Sequence, residues 1–159
     1  MKKSHIFISY SHNDQEYLDR ILVHLKRIEN DGIDTWSDLR LRPGDQWRKE
    51  IALALERASV AILLVSADFL ASDFITENEL PPLLRKAAEQ GTRIIPVIVK
   101  ACGFERDKNL NQFQALNNPN ETVARMTEGK REKLYDKLAA EVERIFQEAD
   151  LSPAVKADV

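Results

Sequence analysis

The chain has few of the residues on which disulfide and metal chemistry depend. Its 159 residues include one cysteine, Cys102, and three histidines. A single cysteine excludes an intrachain disulfide and a cysteine-based zinc site, and His5, His12 and His24 lack the spacing of metal ligands. We therefore expect no metal site and a reducing, cytoplasmic environment.

Long apolar runs and clusters of basic residues are also missing. No apolar segment approaches the length that crosses a bilayer, and Ser4–Tyr10 is too short for the core of a signal peptide. The 23 basic and 26 acidic residues give a net charge of −3, without the basic patch that nucleic acid requires. A chain of this length and charge favours one domain that binds neither membranes nor nucleic acid directly.

Strand-like and helix-like patterns alternate along the chain. Short apolar runs predict buried strands at His5–Ser9, Ile33–Ser37, Val60–Val65 and Ile94–Val99. Helical spacing predicts helices over 15–28, after a cap at Asp45, from Pro81-Pro82 to Gln90, and over Lys130–Glu148. Strands joined through helices form a parallel sheet, so the pattern predicts a three-layer α/β fold. The domain should cover residues 1–149, with 150–159 as a patternless tail or linker stub.

Three acids, Asp73, Glu77 and Glu79, follow the third strand. Open α/β sheets keep their ligands beyond the carboxyl ends of their strands, so these acids are candidates for catalysis. A solvated helix start, where acids favour the positive end of the helix dipole, is the alternative. Prolines suit the first turn of a helix, so Pro81-Pro82 places Glu79 at a helix entrance. Asp73 is the best candidate for a local cap.

Four motifs occur in order at fitting intervals. They are IFISYS at Ile6–Ser11, Trp36-Ser37-Asp38, the loop Leu41–Gly44 followed by Trp47, and the segment Val65–Leu80. Together they resemble the TIR (Toll/interleukin-1 receptor) domain family, particularly its bacterial branch, over residues 4–148. The resemblance implies a flavodoxin-like three-layer sandwich with five parallel strands and helices on both faces. The fifth strand would lie near Gln112–Leu116.

Many members of that family cleave NAD⁺ between nicotinamide and ribose, releasing ADP-ribose or a cyclic variant. Their essential Glu precedes a Leu after the third strand, and the match here is Glu79. A fixed carboxylate beside the ribose stabilises the positive charge that develops as nicotinamide leaves. NAD⁺ would be the substrate, with no separate cofactor. The resemblance assigns the substrate-binding positions to Ser9, Ser11, His12, Asp38, Arg42, Gly44, Phe74 and Glu77.

Several assignments stay open. Glu77 is the second choice for the catalytic acid, since the aromatic Phe74 precedes Glu79 at an unusual spacing. Arg40 and Arg42 are candidates either for holding pyrophosphate or for solvated loop charges. His12 and Asp38 each have a purely structural alternative. The tryptophans Trp36 and Trp47 are predicted packing anchors, with substrate stacking as the alternative, and Cys102 is a predicted inert thiol.

Two function classes follow from the resemblance. The first is an NAD⁺ glycohydrolase or cyclase that is activated by self-assembly, serves in bacterial anti-phage defence or as an effector, and joins a sensor domain or partner protein. The second is a non-catalytic adaptor that signals through TIR–TIR contacts made by the loop Asp38–Asp45. A phospho-receiver domain shares the topology, but it needs an Asp where this chain has Ser66. We discard that third reading.

Overall fold

The computed structural model describes the backbone of residues 5–157 and the side chains of residues 5–149. In that range the strands are β1 (His5–Ser9), β2 (Asp34–Trp36), β3 (Ala58–Val65) and β4 (Arg93–Ile98). The helices are α1 (Gln15–Asn30), α2 (Trp47–Arg57), α3 (Ala67–Ala71), α4 (Leu80–Gln90) and α5 (Glu128–Ala157). The predicted alternation of strands and helices is confirmed.

All strands of the described sheet are parallel and lie in the order β2-β1-β3-β4. The register pairs Ile8 with Ile62 and Ile62 with Ile95. The β3 strand is central, as its uninterrupted apolar run predicts, because a strand covered on both faces has no position for a polar side chain. Pro96 lies in the outer strand β4, opposite Leu63, where one backbone donor can be lost without breaking a central ladder.

Helices cover both faces of the sheet, which confirms the three-layer α/β class. Successive strand residues point to opposite faces, so Ile6 and Ile8 pack toward α1 and α5, whereas Phe7 packs toward α2 and α4. The buried stripe of α1 matches its helical spacing and consists of Tyr17, Leu18, Ile21, Leu25 and Ile28. Each face therefore has its own apolar core, and the polar residues collect at the ends of the strands.

The predicted fifth strand near Gln112–Leu116 is wrong, because the described sheet has four strands. The segment after β4 contacts the outer edge of that strand without forming a ladder. Leu116 N–H donates to Pro96 O at 2.8 Å, and the buried Asn117 side chain bonds both the N–H and the C=O of Ile98, at 2.9 and 3.0 Å. An amide side chain thus replaces the strand, since it presents the donor and the acceptor that a neighbouring backbone would offer.

Two further predictions need correction. Asp45 does not cap α2, whose first residue is Trp47. The Asp45 carboxylate instead accepts a hydrogen bond from Arg42 N–H at 2.8 Å and closes the loop between β2 and α2. The final helix continues to Ala157, so residues 150–157 are helical where a patternless tail was predicted, and residues 158–159 lie outside the described range. The described helices include none with the length and apolar character needed to cross a bilayer.

Candidate functional site

The candidate site lies where β1, β2 and β3 end. Ser9 is the last residue of β1, Asp38 begins a short 3₁₀ turn after β2, and Ser66 directly follows β3. Parallel strands end at the same edge of a sheet, so the segments that follow them meet there. Glu79 reaches this edge from the segment between α3 and α4.

Glu79 is buried, with 5% of its surface exposed. It ends a π-helical turn, Ile75–Glu79, in which Leu80 N–H bonds to Ile75 O. The two prolines that follow have no N–H, so the regular bonds to the carbonyls of the preceding turn cannot form and the wider turn replaces them. Side chains two positions apart do not share a helix face, and Glu77 is accordingly exposed while Glu79 is buried.

The Glu79 carboxyl group is held by Ser9 and has a raised pKa. Ser9 Oγ donates to Glu79 Oε1 at 2.5 Å. Burial is the largest cause that raises the pKa, to about 7, and the nearby Asp38 charge raises it as well. The Ser9 hydrogen bond and the His12 charge act in the opposite direction, because both favour the ionised form. A carboxyl group with a pKa near neutrality can exist in either protonation state at physiological pH.

Asp38 joins the ends of β1 and β2. Tyr10 OH donates to its Oδ1 at 2.6 Å, and the His12 ring nitrogen Nε2 bonds to Oδ2. Burial, together with the Asp38 carboxylate, raises the pKa of Tyr10. Sequence reasoning did not single out Tyr10, although it lies in the IFISYS motif directly after Ser9. The sequence feature that could have pointed to Tyr10 is a tyrosine between two serines at the end of a buried strand.

The structure therefore brings four of the predicted site residues together: Glu79, Ser9, His12 and Asp38. Ser11 lies beside them and caps the turn His12–Asp14 by accepting from Asn13 N–H at 3.3 Å.

The remaining predicted site residues lie in exposed positions. Arg42 and Gly44 belong to the exposed loop between β2 and α2, where Gly44 adopts a φ of +93° that favours glycine. Phe74 is 37% exposed and contacts the ring of Trp47, with 5.5 Å between centroids. Glu77 is also exposed. Their binding roles stay predictions.

The arginines and tryptophans near the loop divide into anchored and exposed members. Arg40 donates to Asp34 Oδ1 at 2.9 Å and to Thr35 O at 3.0 Å, so it braces β2. Trp36 stacks on buried Phe7 at 5.2 Å, as expected of a packing anchor. Trp47, by contrast, is 42% exposed. In place of Asp73, the hydroxyl of Ser72 makes the local cap, accepting from Ile75 N–H at 3.2 Å.

The described side chains include no group of three His, Cys, Asp or Glu residues that could hold a metal ion. Cys102 is partly buried, and this burial raises the pKa of its thiol. A raised pKa lowers the fraction of reactive thiolate. What this edge of the sheet does present is the Glu79 carboxyl group, whose raised pKa suits it to acid–base or electrostatic chemistry.

Comparison with known proteins identifies relatives of the chain. The TIR domain family profile matches residues 6–127. The chain is 33% identical over 100 residues to the uncharacterized protein y4lF of Sinorhizobium fredii, covering 62% of this chain and 31% of the relative. It is 30% identical over 97 residues to the 2′ cyclic ADP-D-ribose synthase BtTIR of Bacteroides thetaiotaomicron, covering 60% and 33%.

A further relative is the NAD(+) hydrolase PdTIR of Paracoccus denitrificans, 30% identical over 93 residues that cover 58% of this chain and 30% of the relative. The matches thus span about a third of the length of these curated relatives. The TIR domain of the Toll-related receptor TRR-2 from Hydra magnipapillata shares the fold, with a TM-score of 0.51 at 23% identity, covering 69% of this chain and 82% of the receptor domain.

Proposed function

The chain belongs to the TIR domain family, and from this membership we propose that it cleaves NAD⁺ between nicotinamide and ribose, with Glu79 as the catalytic residue. The observation that carries the proposal is the burial of Glu79 against the Ser9 hydroxyl, at the edge of the sheet where open α/β folds in general bind their ligands. A buried carboxyl group is unfavourable for folding, and such groups concentrate at functional sites. The names of two relatives, a cyclic ADP-ribose synthase and an NAD⁺ hydrolase, also support it.

Cleavage moves positive charge from the nicotinamide ring to the ribose. As the bond from C1′ to nitrogen breaks, its electron pair goes to nicotinamide and the ribose becomes cationic. The ionised form of Glu79 stabilises that cation, and a cationic substrate in turn favours the ionised form of a group whose pKa is about 7. Water then attacks C1′ and loses a proton, giving ADP-ribose; attack by a hydroxyl of the substrate itself gives a cyclic product. NAD⁺ is the substrate, and no separate cofactor takes part.

Self-association is part of the proposal. In the single chain Glu79 is only 5% exposed, whereas Arg42, Gly44, Trp47 and Phe74, which lie on the segments that follow Asp38 and precede Glu79 in sequence, are exposed. Contact with a second TIR domain through the loop that contains Arg42 and Gly44 would reorganise this surface and admit substrate. An activity that destroys NAD⁺ is useful only when triggered, which suits a role in defence or as an effector, with a sensor domain or partner protein as the trigger.

The test is nicotinamide release from NAD⁺ by the purified chain, free at high concentration and clustered on a scaffold. Clustering should raise the rate per subunit; an unchanged rate contradicts activation by assembly. Glu79→Gln should lower the rate by at least about 100-fold, whereas Glu77→Gln, at an exposed position assigned to substrate binding, should lower it by less than about 10-fold, and the exposed Glu89→Gln should leave it within about twofold. Loss of activity in Glu77→Gln alone would reverse the assignment of the two acids. Chromatography of the product distinguishes linear from cyclic ADP-ribose.

A non-catalytic adaptor is the second candidate. The exposed aromatic pair Trp47 and Phe74 favours it, since exposed apolar surface beside a loop is typical of protein contacts. An adaptor would release no nicotinamide, whether free or clustered on the scaffold. It would still associate with TIR domains after Glu79→Gln. That combination of results would replace the enzymatic proposal.

A further inference from the structure

Two buried polar side chains and a half-exposed lysine form a cluster next to the Glu79 site and have no part in the proposed reaction. Asp14 is completely buried. Ser66 Oγ donates to its Oδ2 at 2.5 Å, and Lys100 Nζ lies 2.9 Å from its Oδ1. We call Asp14, Ser66 and Lys100 the Asp14 cluster.

The Asp14 cluster joins segments that follow three different strands. Asp14 ends the turn after β1, Ser66 directly follows β3, and Lys100 lies two residues past β4. The Ser66 hydroxyl also accepts from Phe69 N–H at 3.0 Å and so caps α3, the helix that precedes the Glu79 segment. One carboxylate thus connects the segment that carries His12 to the segment that leads to Glu79.

The hydrogen bonds within the turn His12–Asp14 define its backbone conformation but not its orientation relative to the sheet. Asp14 N–H donates to Ser11 O at 2.8 Å, and Ser11 Oγ accepts from Asn13 N–H. Both bonds are local and would survive a rotation of the whole turn. Besides its covalent links to β1 and α1, the turn is held through Asp14 to the segments that directly follow β3 and β4. With the turn in this position, the exposed His12 ring bonds to the Asp38 carboxylate through Nε2.

We propose that Asp14 is a positioning residue of the Glu79 site: anchored by Ser66 and Lys100, it holds the turn so that the His12 ring stays on Asp38. An unpaired buried carboxylate lowers stability, and even a paired one can often be replaced by an apolar side chain of similar volume without loss. The presence of a charged residue at this position therefore favours a role other than stability. The charged anchor is held at both oxygens, since Ser66 Oγ donates a directional bond to Oδ2 and the Lys100 charge lies 2.9 Å from Oδ1. The kinetic part of the test rests on the proposed function, and the spectroscopic part does not.

The variants separate positioning from stability. Asp14→Asn keeps the shape of the side chain but removes its charge from Lys100. Lys100→Met removes the cation from a side chain that is 38% exposed, so this variant should fold even if Asp14→Asn does not. Lys100→Arg restores the charge. The matched control is Glu132→Gln, which breaks an ion pair with Arg20 (2.6 Å) on the surface between α1 and α5.

Two of the histidines, His12 and His24, report the outcome by NMR. His12 Nε2 contacts Asp38, whereas His24 Nε2 lies 3.2 Å from Glu132. Asp14→Asn and Lys100→Met should shift the ring Cε1–H signal of His12 and leave that of His24 in place. Glu132→Gln should do the reverse, and Lys100→Arg should return His12 to its original signal. An unchanged His12 signal in folded Lys100→Met and folded Asp14→Asn overturns the proposal.

Kinetics provide the second readout. At pH 9, where Glu79 with a pKa of about 7 is ionised, Lys100→Met should raise KM for NAD⁺ at least fivefold and leave kcat within twofold, because His12 and Asp38 are proposed substrate contacts and Glu79 keeps its own partner. Lys100→Arg should recover most of the KM. A loss confined to kcat, or a KM effect equal to that of Glu132→Gln, contradicts positioning. If the original chain releases no nicotinamide, the proposed function fails, and the His12 signal alone decides whether Asp14 positions the turn.

Discussion

Ser9 Oγ donates a hydrogen bond of 2.5 Å to Glu79 Oε1 across 70 positions of sequence. The bond joins the end of a central strand to the turn that precedes α4, and both residues are buried. It opposes the effect of burial on the pKa of Glu79, since a donated hydrogen bond favours the carboxylate. This one contact therefore connects the geometry of the site to the protonation state that the proposed reaction needs.

Removing the Ser9 hydroxyl should move the pH dependence of the reaction. The rate should rise with pH through about 7, because the ionised form of Glu79 is the active one. Ser9→Ala removes a contact that lowers the pKa, so the midpoint should move to higher pH and the rate at pH 7 should fall about 3- to 10-fold. The measurement is a pH–rate profile, with the exposed Ser59→Ala as control. A uniform loss of rate with the midpoint unchanged would contradict the assigned role.

Glu79 should also make the folded state less stable as pH rises from about 4.5 to 7. In that interval the folded chain still binds the proton that the unfolded chain has released, because burial raises the pKa from 4.5 to about 7. The free energy of unfolding should therefore fall by roughly 3 kcal/mol over this range, at about 1.4 kcal/mol per pKa unit.

Glu79→Gln carries no such titration and should be the more stable protein at pH 8, with a melting temperature higher by about 5 °C or more. At pH 4.5 the two proteins should melt at similar temperatures. Thermal denaturation at both pH values measures the difference, and the exposed Glu77→Gln serves as the reference. Equal melting temperatures for Glu79→Gln and the original chain at pH 8 would mean that burial does not raise the pKa of the Glu79 carboxyl group.

Asn117 should be worth more to stability than any exposed asparagine near it. Its side chain makes hydrogen bonds with Ile98 N–H, Ile98 O and Glu121 O. Asn117→Ala leaves buried backbone groups unpaired and should lower the free energy of unfolding by about 2–4 kcal/mol. The exposed Asn120→Ala should change it by less than about 0.5 kcal/mol. Urea denaturation measures both, and similar midpoints would refute the strand-replacing role of Asn117.

The two tryptophans should differ in their contribution to stability. Trp36 stacks on Phe7, which is completely buried, whereas Trp47 is 42% exposed. Trp36→Ala should destabilise the protein by about 2–4 kcal/mol and Trp47→Ala by about 1 kcal/mol or less. Chemical denaturation compares them directly. If Trp47→Ala proves the more costly, Trp47 anchors the loop more firmly than its exposure indicates.

The course of the strands and helices is largely readable from the chain. Val60–Val65 has no polar interruption, so a central strand is its natural place, and the repeat from Tyr17 to Ile28 describes one buried helical face. The family resemblance, which the profile match over residues 6–127 confirms, singles out Glu79 before any coordinates. The missing fifth strand is the main error in the fold. Residues 112–116 meet the edge of β4 through single contacts, and such contacts leave no periodicity.

The α/β class, the order of the elements and the short set of acids from which a site could be chosen are all predictable from the order of the amino acids. These follow from apolar periodicity and from turn residues, which act over a few positions. The three-dimensional packing was needed to show that Glu79 is buried while Glu77 is exposed, and that Ser9 bonds Glu79. It was also needed to show that Asp14 is bonded by Ser66, 52 positions later in the sequence. Partners so distant in sequence meet because the strand order brings their segments to one edge, and that order depends on packing of the whole sheet.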